Sequence, residues 1–542
     1  RDSSAAFVKK VGSVDDAFAP TLMSIYQHNL PMSFSERTEK ESQNLKIPTL
    51  SPDRLDLTKV PFVTIDGADA RDFDDAVFAE PDTDAQNPGG WHLMIAIADV
   101  AWYVRPGSPL DRDAWLRGNS VYFPDRVLPM LPFELSAGVC SLKPGEARGA
   151  MICDVWIDAK GYKIRHDFKR ALIKSARRLT YTEVEEALQG RQPIVGMEKE
   201  INHLKSAYAL LAQRRRERGV IEINVPERQV ILNDKGQIID IKQRDQLDSM
   251  KLIEEFMILS NVAAAEVLEQ KGLPTMYRIH DRPSSEKIEN LNDFLRSIGQ
   301  KADIRESSDP SDFNAILTRS AGSKRAFAIN EFVLRSQSQA QYNPENIGHF
   351  GLALMHYAHF TSPIRRYADI LVHRALIKAL KLGEGGLSDE EIKTFEETAR
   401  HISYTERQAA AAENDANDRY VAGYLKDKIG SAFTARISSV TGFGLFVRLD
   451  EFGADGLIPM RALSDDFYEF DDRRHVLVGR ANKKEYAMGD MLRVILQEAI
   501  PVTGGLVFSI AGLSREKYPP RSATPQKKPP QKHHKNRRKK RR

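Results

Sequence analysis

The chain has 542 residues, 41% apolar and 28% charged, a balance ordinary for a globular protein. At ~100–200 residues per domain, it holds roughly three or four domains rather than one core. Two cysteines, Cys140 and Cys153, lie in no CxxC or Cys/His cluster. They exclude a disulfide framework, read as small core residues and fit a reducing cytoplasm. No apolar run approaches the ~20 residues needed to span a bilayer. The start, RDSSAAFVKKVG, has no signal-peptide core and no initiator Met, so a fragment or a processed form is expected.

The net charge of +4 hides an asymmetry. From Pro519 onward the chain carries eleven Lys/Arg and no acid, which leaves about −7 for residues 1–518. This composition predicts a disordered basic tail over 514–542. The tail could neutralise phosphates, or it could serve only as a solubilising extension; it lacks the apolar face that strengthens membrane-surface binding.

In chain order, residues 1–30 are too short for a domain, and 31–60 are polar and read as a linker. From Pro61, β-rich runs (PFVTIDG, WHLMIAIADVAWYV) alternate with turn residues and open a large mixed domain over 61–425. A helix is predicted over Ser249–Gln270: Met250, Ile253, Met257, Ala264 and Val267 recur on one face, Gly272 stands beyond, and Ser249 is placed to be the N-cap. Glu390–Lys426 reads as a long polar helix with an Ala-rich middle. From about Ile429, some five short alternating strands predict a small all-β barrel of the OB type over 426–513. The fold class is therefore multidomain α+β, a mixed α/β domain followed by an OB-fold barrel. No tandem repeat is evident.

The most informative segment is VTIDGADARDFDDAVFAE, residues 63–80. After an apolar strand, Asp66, Asp69, Asp72, Asp74 and Asp75 fall within ten residues, offset only by Arg71. Carboxylates this crowded repel one another unless cations sit among them. Hard cations such as Mg²⁺ or Mn²⁺ choose oxygen ligands and accept substrate phosphate oxygens as well, the arrangement that phosphodiester hydrolysis needs. A structural calcium loop fails, since no register supplies its Gly and Glu. A solvated acidic turn and an Asp-nucleophile phosphotransferase both remain open on the residues alone.

IDGADARDFDDAV resembles the signature of the RNase II (RNB) family. Further matches follow in order: AIADVAWYVRPGSPLDRDA, GNSVYFPDRVLPMLP, YRIHDRPS, NIGHFGLAL and HFTSPIRRYADI. Together they cover roughly residues 50–513. The resemblance implies a processive 3′→5′ exoribonuclease that releases nucleoside 5′-monophosphates. Its active-site aspartates fall on Asp66, Asp72, Asp74 and Asp75, which would hold Mg²⁺ (Mn²⁺ as the alternative); Asp69 resembles the pattern but is given no catalytic role.

By the same resemblance Arg365 is the active-site arginine, with Arg366 a supporting contact, and Tyr122 meets the terminal nucleotide. Guanidinium groups suit that task because they bind phosphate oxygens bidentately and stay charged. Glu406 is the best match for a glutamate near the RNA 3′ end, with Glu254 the weaker candidate. His280, His349 and His359 read as structural or RNA-contacting. A second stacking aromatic is not evident in GVIEINVPERQVIL.

The barrel resembles the ribosomal S-one-type RNA-binding domain, with Phe433, Phe443, Phe446 and Tyr468 as candidate base platforms, about half of them expected to fill the core and Phe433 first among those, and Arg436 and Arg448 near the backbone. Residues 1–30 look like the end of a cold-shock domain. The basic tail and GFGLFVRL favour the branch that enters structured RNA over the one that stalls at duplexes. The implied partners are RNA and, for the tail, RNA or the ribosome, with the chain monomeric. An inactive RNA-binding adaptor is the reading from another class, and the absence of a Walker A sequence counts against a helicase.

Overall fold

The computed structural model describes residues 12–513, apart from 14–15, 224–227, 244–245 and 473. The tail expected over 514–542, and the first eleven residues of the 1–30 stretch, lie outside the described residues.

The larger unit is built on a seven-stranded mixed sheet. Its strands are β1 (Leu55–Leu57), β2 (Val63–Asp66), β3 (Asp75–Pro81), β4 (Trp91–Ala98), β5 (Ala147–Ile157), β6 (Lys163–Lys174) and β7 (Arg177–Thr180), in the order β1-β6-β5-β4-β3-β2-β7. β1 runs parallel to β6 and β2 parallel to β7, while the other neighbours are antiparallel. The central strands are apolar on both faces, as strands covered on both sides are: Leu93, Ile95, Ile97, Met151, Ile152, Cys153 and Val155 are all buried. Cys140 is buried in the same core, and both thiols are free. The edge strand β1 falls within the stretch read as linker, which also holds a short helix, Glu36–Ser42, capped by the Ser35 hydroxyl.

Six helices frame the aspartate loop and the barrel: α1 (Ala19–Gln27), α2 (Glu198–Arg218), α3 (Asp248–Gln270), α4 (Ala326–Ser336), α5 (Tyr367–Leu380) and α6 (Phe395–Leu425). α2 lies against β3, and α3 against β4 and β5. The predicted helix over Ser249–Gln270 is α3, but Ser249 is not its cap. Leu247 occupies that position, and Ser249 lies one residue inside the helix. There its hydroxyl donates to the Tyr181 carbonyl (2.8 Å) and its N–H to Glu185 (2.9 Å), so the serine ties two helices together. The long polar helix is broken at Thr394 into a short turn, Asp389–Lys393, and α6. α1, in the described part of residues 1–30, packs on α6, with the Ser24 hydroxyl donating to the Ala412 carbonyl at 2.6 Å.

The second unit is the expected barrel. β8 (Ala432–Thr441), β9 (Gly444–Leu449), β10 (Asp455–Pro459), β11 (Met491–Ile500) and β12 (Gly505–Ile510) close in the order β8-β9-β10-β12-β11. Alternate residues fill it, including Phe433, Ile437, Val447, Ile458, Val494 and Phe508. A three-stranded sheet over residues 468–487 is inserted between β10 and β11. No described helix is long and apolar enough to cross a membrane.

One buried ion cluster joins β1's flank to the sheet. Asp99 accepts from Arg54 (2.6 Å) and Arg170 (3.0 Å), and all three side chains are buried. Burial alone would raise the Asp99 carboxyl, but the two guanidinium groups outweigh it and hold it below the usual range. A depressed native value adds stability that is present above the unfolded value of about 3.9 and is lost as pH falls through the native one. Asp99→Asn, which leaves two arginines buried beside a neutral group, is expected to lower unfolding free energy by about 3–5 kcal/mol near neutral pH. Urea unfolding should show the gap between variant and wild type narrowing only below about pH 4.

Candidate active site

The acidic loop is built by a hairpin. β2 ends at Asp66 and β3 begins at Asp75, so antiparallel pairing brings both to the same end of the sheet. Between them the backbone is held from two sides. Arg178 on β7 donates to the carbonyls of Gly67 (2.6 Å) and Ala68 (2.8 Å). The Ser141 hydroxyl accepts from the Phe73 N–H (3.0 Å) and donates to the Arg71 carbonyl (2.9 Å). The loop is therefore fixed by its main chain, which frees its carboxylates for other work.

A second segment arrives from far along the chain. Ile364, in TSPIRRY, donates its N–H to Asp74 Oδ1 at 2.9 Å, and Arg365 Nε stands 3.7 Å from Asp74 Oδ2. Arg365 also donates to the Ser362 hydroxyl (3.0 Å). A third segment, residues 118–122 with a two-residue strand at Val121–Tyr122, is pinned to this one by the Ser120 N–H donating to the Arg365 carbonyl (3.0 Å). It carries Tyr122, whose hydroxyl donates to Asp72 Oδ2 at 3.4 Å. The result is a cavity of about 590 Å³ that takes in Asp66, Asp72, Asp74, Asp75, Tyr122, Arg365 and Arg366 together.

Asp69 and Glu254 also line this cavity, but Glu406 does not. Glu406 is paired bidentately with Arg278, at 2.7 and 2.9 Å. Glu413, one heptad further along α6, is outside the lining as well but holds the site's tyrosine: it accepts the Tyr122 N–H at 2.7 Å. Helical periodicity puts the two glutamates on one face of α6, and that signal was available in YTERQAAAAEND. Arg366 is held bidentately by buried Asp369, both contacts at 2.8 Å, and so serves the wall rather than reaching freely into the cavity.

Sequence reading also missed Tyr181, Tyr357 and Asn261 in the lining. The three histidines are structural. His359 faces the Tyr342 hydroxyl (2.9 Å), and His280 and His349 accept the backbone N–H of Gly351 and Leu352.

On the barrel, Phe443 is 59% exposed and meets Phe446 edge-on at 5.8 Å between ring centres. Phe433 is in the core as expected. Tyr468, expected as a base platform, is also buried, packed beside Tyr486. Arg448, expected beside an RNA backbone, is instead a docking residue. It pairs with Glu331 on α4 (2.9 Å) and with Asp455 (3.1 Å). Arg436 lies over the Phe327 ring at 5.3 Å.

The carboxylates outnumber their cations. Burial first, and then neighbouring charge, lifts three of them. Asp74 is raised well above the usual carboxylate range, Asp66 is raised, and Asp75 is pushed up to about 7 by burial and the Asp66 charge. Among the described residues, no three His, Cys, Asp or Glu side chains are arranged as they stand to hold a metal ion. Asp74 gives one oxygen to Ile364, and Asp66 folds back onto the Gly67 N–H. The donor set nonetheless fits a hard cation, being all carboxylate with no imidazole or thiol in the lining.

The chain belongs to the RNB-domain family, whose profile matches residues 54–382; that of the S1 RNA binding domain matches residues 426–511. Among individual relatives, it is 40% identical over 487 residues to ribonuclease R of Escherichia coli (strain K12), 87% of this chain and 59% of that protein. It is 38% identical over 499 residues to ribonuclease R of Aquifex aeolicus (strain VF5), 90% of this chain and 69% of that one. Mycoplasma genitalium RNase R, solved in complex with ribose methylated single-stranded RNA, superposes with a TM-score of 0.87 at 29% identity, covering 92% of this chain and 79% of that chain. The chain thus spans less than two thirds of the length of its Escherichia coli relative.

The raised Asp75 carboxyl has a measurable consequence. Its native value exceeds the unfolded one, so the metal-free fold binds more protons than the unfolded chain and loses stability as pH rises through about 7. A cation bound among these carboxyls would have to displace that proton. Calorimetric titration with Mg²⁺ in buffers of different ionisation enthalpy should show proton release at pH 6 that shrinks by pH 8. Buffer-independent heats at pH 6 would count against it.

Proposed function

We propose that this chain is the catalytic and RNA-holding body of a metal-dependent exoribonuclease of the ribonuclease R type. It would hydrolyse RNA processively from the 3′ end to nucleoside 5′-monophosphates. The observation that carries this reading is the meeting of four aspartates, Arg365 and Tyr122 in one cavity. The names borne by its relatives point the same way.

In this reading Asp66, Asp72, Asp74 and Asp75 hold Mg²⁺, or Mn²⁺ in its place. Bound there, the metal supplies activation of the attacking water and stabilisation of the leaving 3′-oxygen. The protein's own part is to position and to balance charge. Arg365, tethered by Ser362 and set beside Asp74, offers its remaining guanidinium N–H groups to the scissile phosphate as negative charge develops. Tyr122, held at its backbone by Glu413, presents its ring to the terminal nucleotide. Phe443 and Phe446 offer faces for bases upstream, where stacking tolerates any sequence. The partner is single-stranded or overhang RNA, with the protein acting as a cytoplasmic monomer. The basic tail would add RNA or ribosome contacts.

The test uses 5′-labelled RNA, one single-stranded and one duplex with a 3′ overhang, with Mg²⁺ and then with EDTA. Shortening through the duplex that EDTA stops is the expected result. Stopping several nucleotides before the duplex would indicate the duplex-stalling branch of the family, and tight binding without cleavage would indicate an adaptor. Asp74→Asn should abolish cleavage while leaving RNA affinity within about twofold, whereas parallel loss of both would sink its assignment to the metal. Arg365→Ala should lower turnover about 100- to 1,000-fold. Phe443→Ala should weaken RNA binding by about 1–3 kcal/mol with turnover at saturation unchanged.

A further inference from the structure

A second hollow of about 460 Å³ lies on the far side of α3, between that helix, α2 and the β5–β6 turn. On α3, Glu254, Met257, Ile258 and Asn261 line the aspartate cavity, while Glu255, Ile258, Leu259 and Val262 line this one. Ile258 therefore belongs to both walls. The hollow's volume falls in the range of small-ligand sites, ~300–1,000 Å³.

Its lining is divided in chemistry. One part is apolar, formed by Leu211, Val262 and Leu354 beside the α3 residues; the Tyr162 ring, 53% exposed, stands at the edge. The other part is cationic. Arg214 lies over the Tyr162 ring at 4.1 Å and pairs with Glu217, yet its Nε–H is buried with no acceptor. Arg218 donates Nε–H to the Leu352 carbonyl (2.9 Å), while its Nη2 is buried with no hydrogen-bond partner. The nearest acid to Nη2 is Glu255, at 3.9 Å, too far to accept. Glu255 is already engaged by Arg215 at 2.7 Å. Burial holds Arg218 below the usual guanidinium range, as expected of a charge only partly compensated. The two guanidinium groups stand one helical turn apart on the wall of this hollow, each with a donor left unpaired, and so favour an anionic ligand.

We propose that this hollow binds a nucleoside monophosphate, with the phosphate on Arg214 and Arg218 and the base against Tyr162 and the Leu211–Val262–Leu354 surface. Among small anions, this class joins a flat aromatic ring to a phosphate in one molecule, which suits the two halves of the lining. The choice of this ligand rests on the exonuclease reading, since such molecules would be its products. Product held here lies one side chain, Ile258, away from the aspartate cavity without occupying the catalytic pocket.

The test is calorimetric titration of the full chain with AMP, UMP and inorganic phosphate in EDTA, which removes any binding that needs the metal. AMP and UMP are expected to saturate one site, with inorganic phosphate at least tenfold weaker. Arg218→Gln and the cavity-filling Val262→Phe should each weaken AMP tenfold or more. Val262→Phe retains every charge, so it stands as the test if Arg218→Gln fails to fold. No nucleotide binding, equal affinity for inorganic phosphate, or binding lost in Tyr122→Ala but kept in Val262→Phe would each overturn the proposal. The readout involves no cleavage. A chain that cuts RNA without binding AMP here sinks this inference alone, and one that binds AMP but never cuts RNA sinks the exonuclease reading alone.

Discussion

Asp74 receives a backbone hydrogen bond from Ile364, 290 residues further along the chain. A buried hydrogen bond contributes about 0.5–1.5 kcal/mol, and here it also fixes geometry. It sets the acidic hairpin against the segment that carries Arg365, and through the Ser120–Arg365 backbone contact it brings in Tyr122 as well. Three stretches of chain meet at one buried carboxylate. Their other anchors, Arg178 on the loop carbonyls and Asp369 on Arg366, hold each stretch stiff so that the meeting point is reproducible.

That arrangement works against stability. Burying several acids with few cations raises their proton affinity, and folds rarely keep such groups together without a use for them. Asp99 shows the opposite outcome. Both aspartates are fully enclosed, but Asp99 has two guanidinium partners and lies below the usual range, whereas Asp74 has one offset arginine and lies well above it. One cluster holds the sheet to its flank; the other leaves the carboxyls of a cavity short of cations.

Much of this was legible in the sequence. The apolar runs of β3 to β5, the periodic face of α3 and the alternating strands of the barrel follow from local patterning, and the spacing of the aspartates marked the loop. What failed were choices that depend on tertiary partners. Ser249 looked like a cap, but α3 starts one residue earlier, and Tyr181 and Glu185 recruit the serine. Arg448 looked like an RNA contact, but Glu331 lies across the domain junction. Tyr468 lies in a strand whose inward face is set by the inserted sheet. Glu406 and Glu413 share a helix face, so composition could not choose between them; only the packing of Arg278 against one and Tyr122 against the other does.

The helix α6 has a mechanical role beyond its side chains. Glu413 anchors the Tyr122 strand, and Arg419, six residues on, donates to the Val502 carbonyl at the β11–β12 turn of the barrel and to Gln27 of α1. At 1.5 Å per residue the two anchor points are about 9 Å apart along one axis. The pocket mouth, the barrel and α1 are thus mounted on a single beam, and their offset is counted in helical rise instead of linker length. Lengthening the beam by one residue would rotate one mount about 100° against the other, so an insertion harmless in a loop would here misalign the whole assembly.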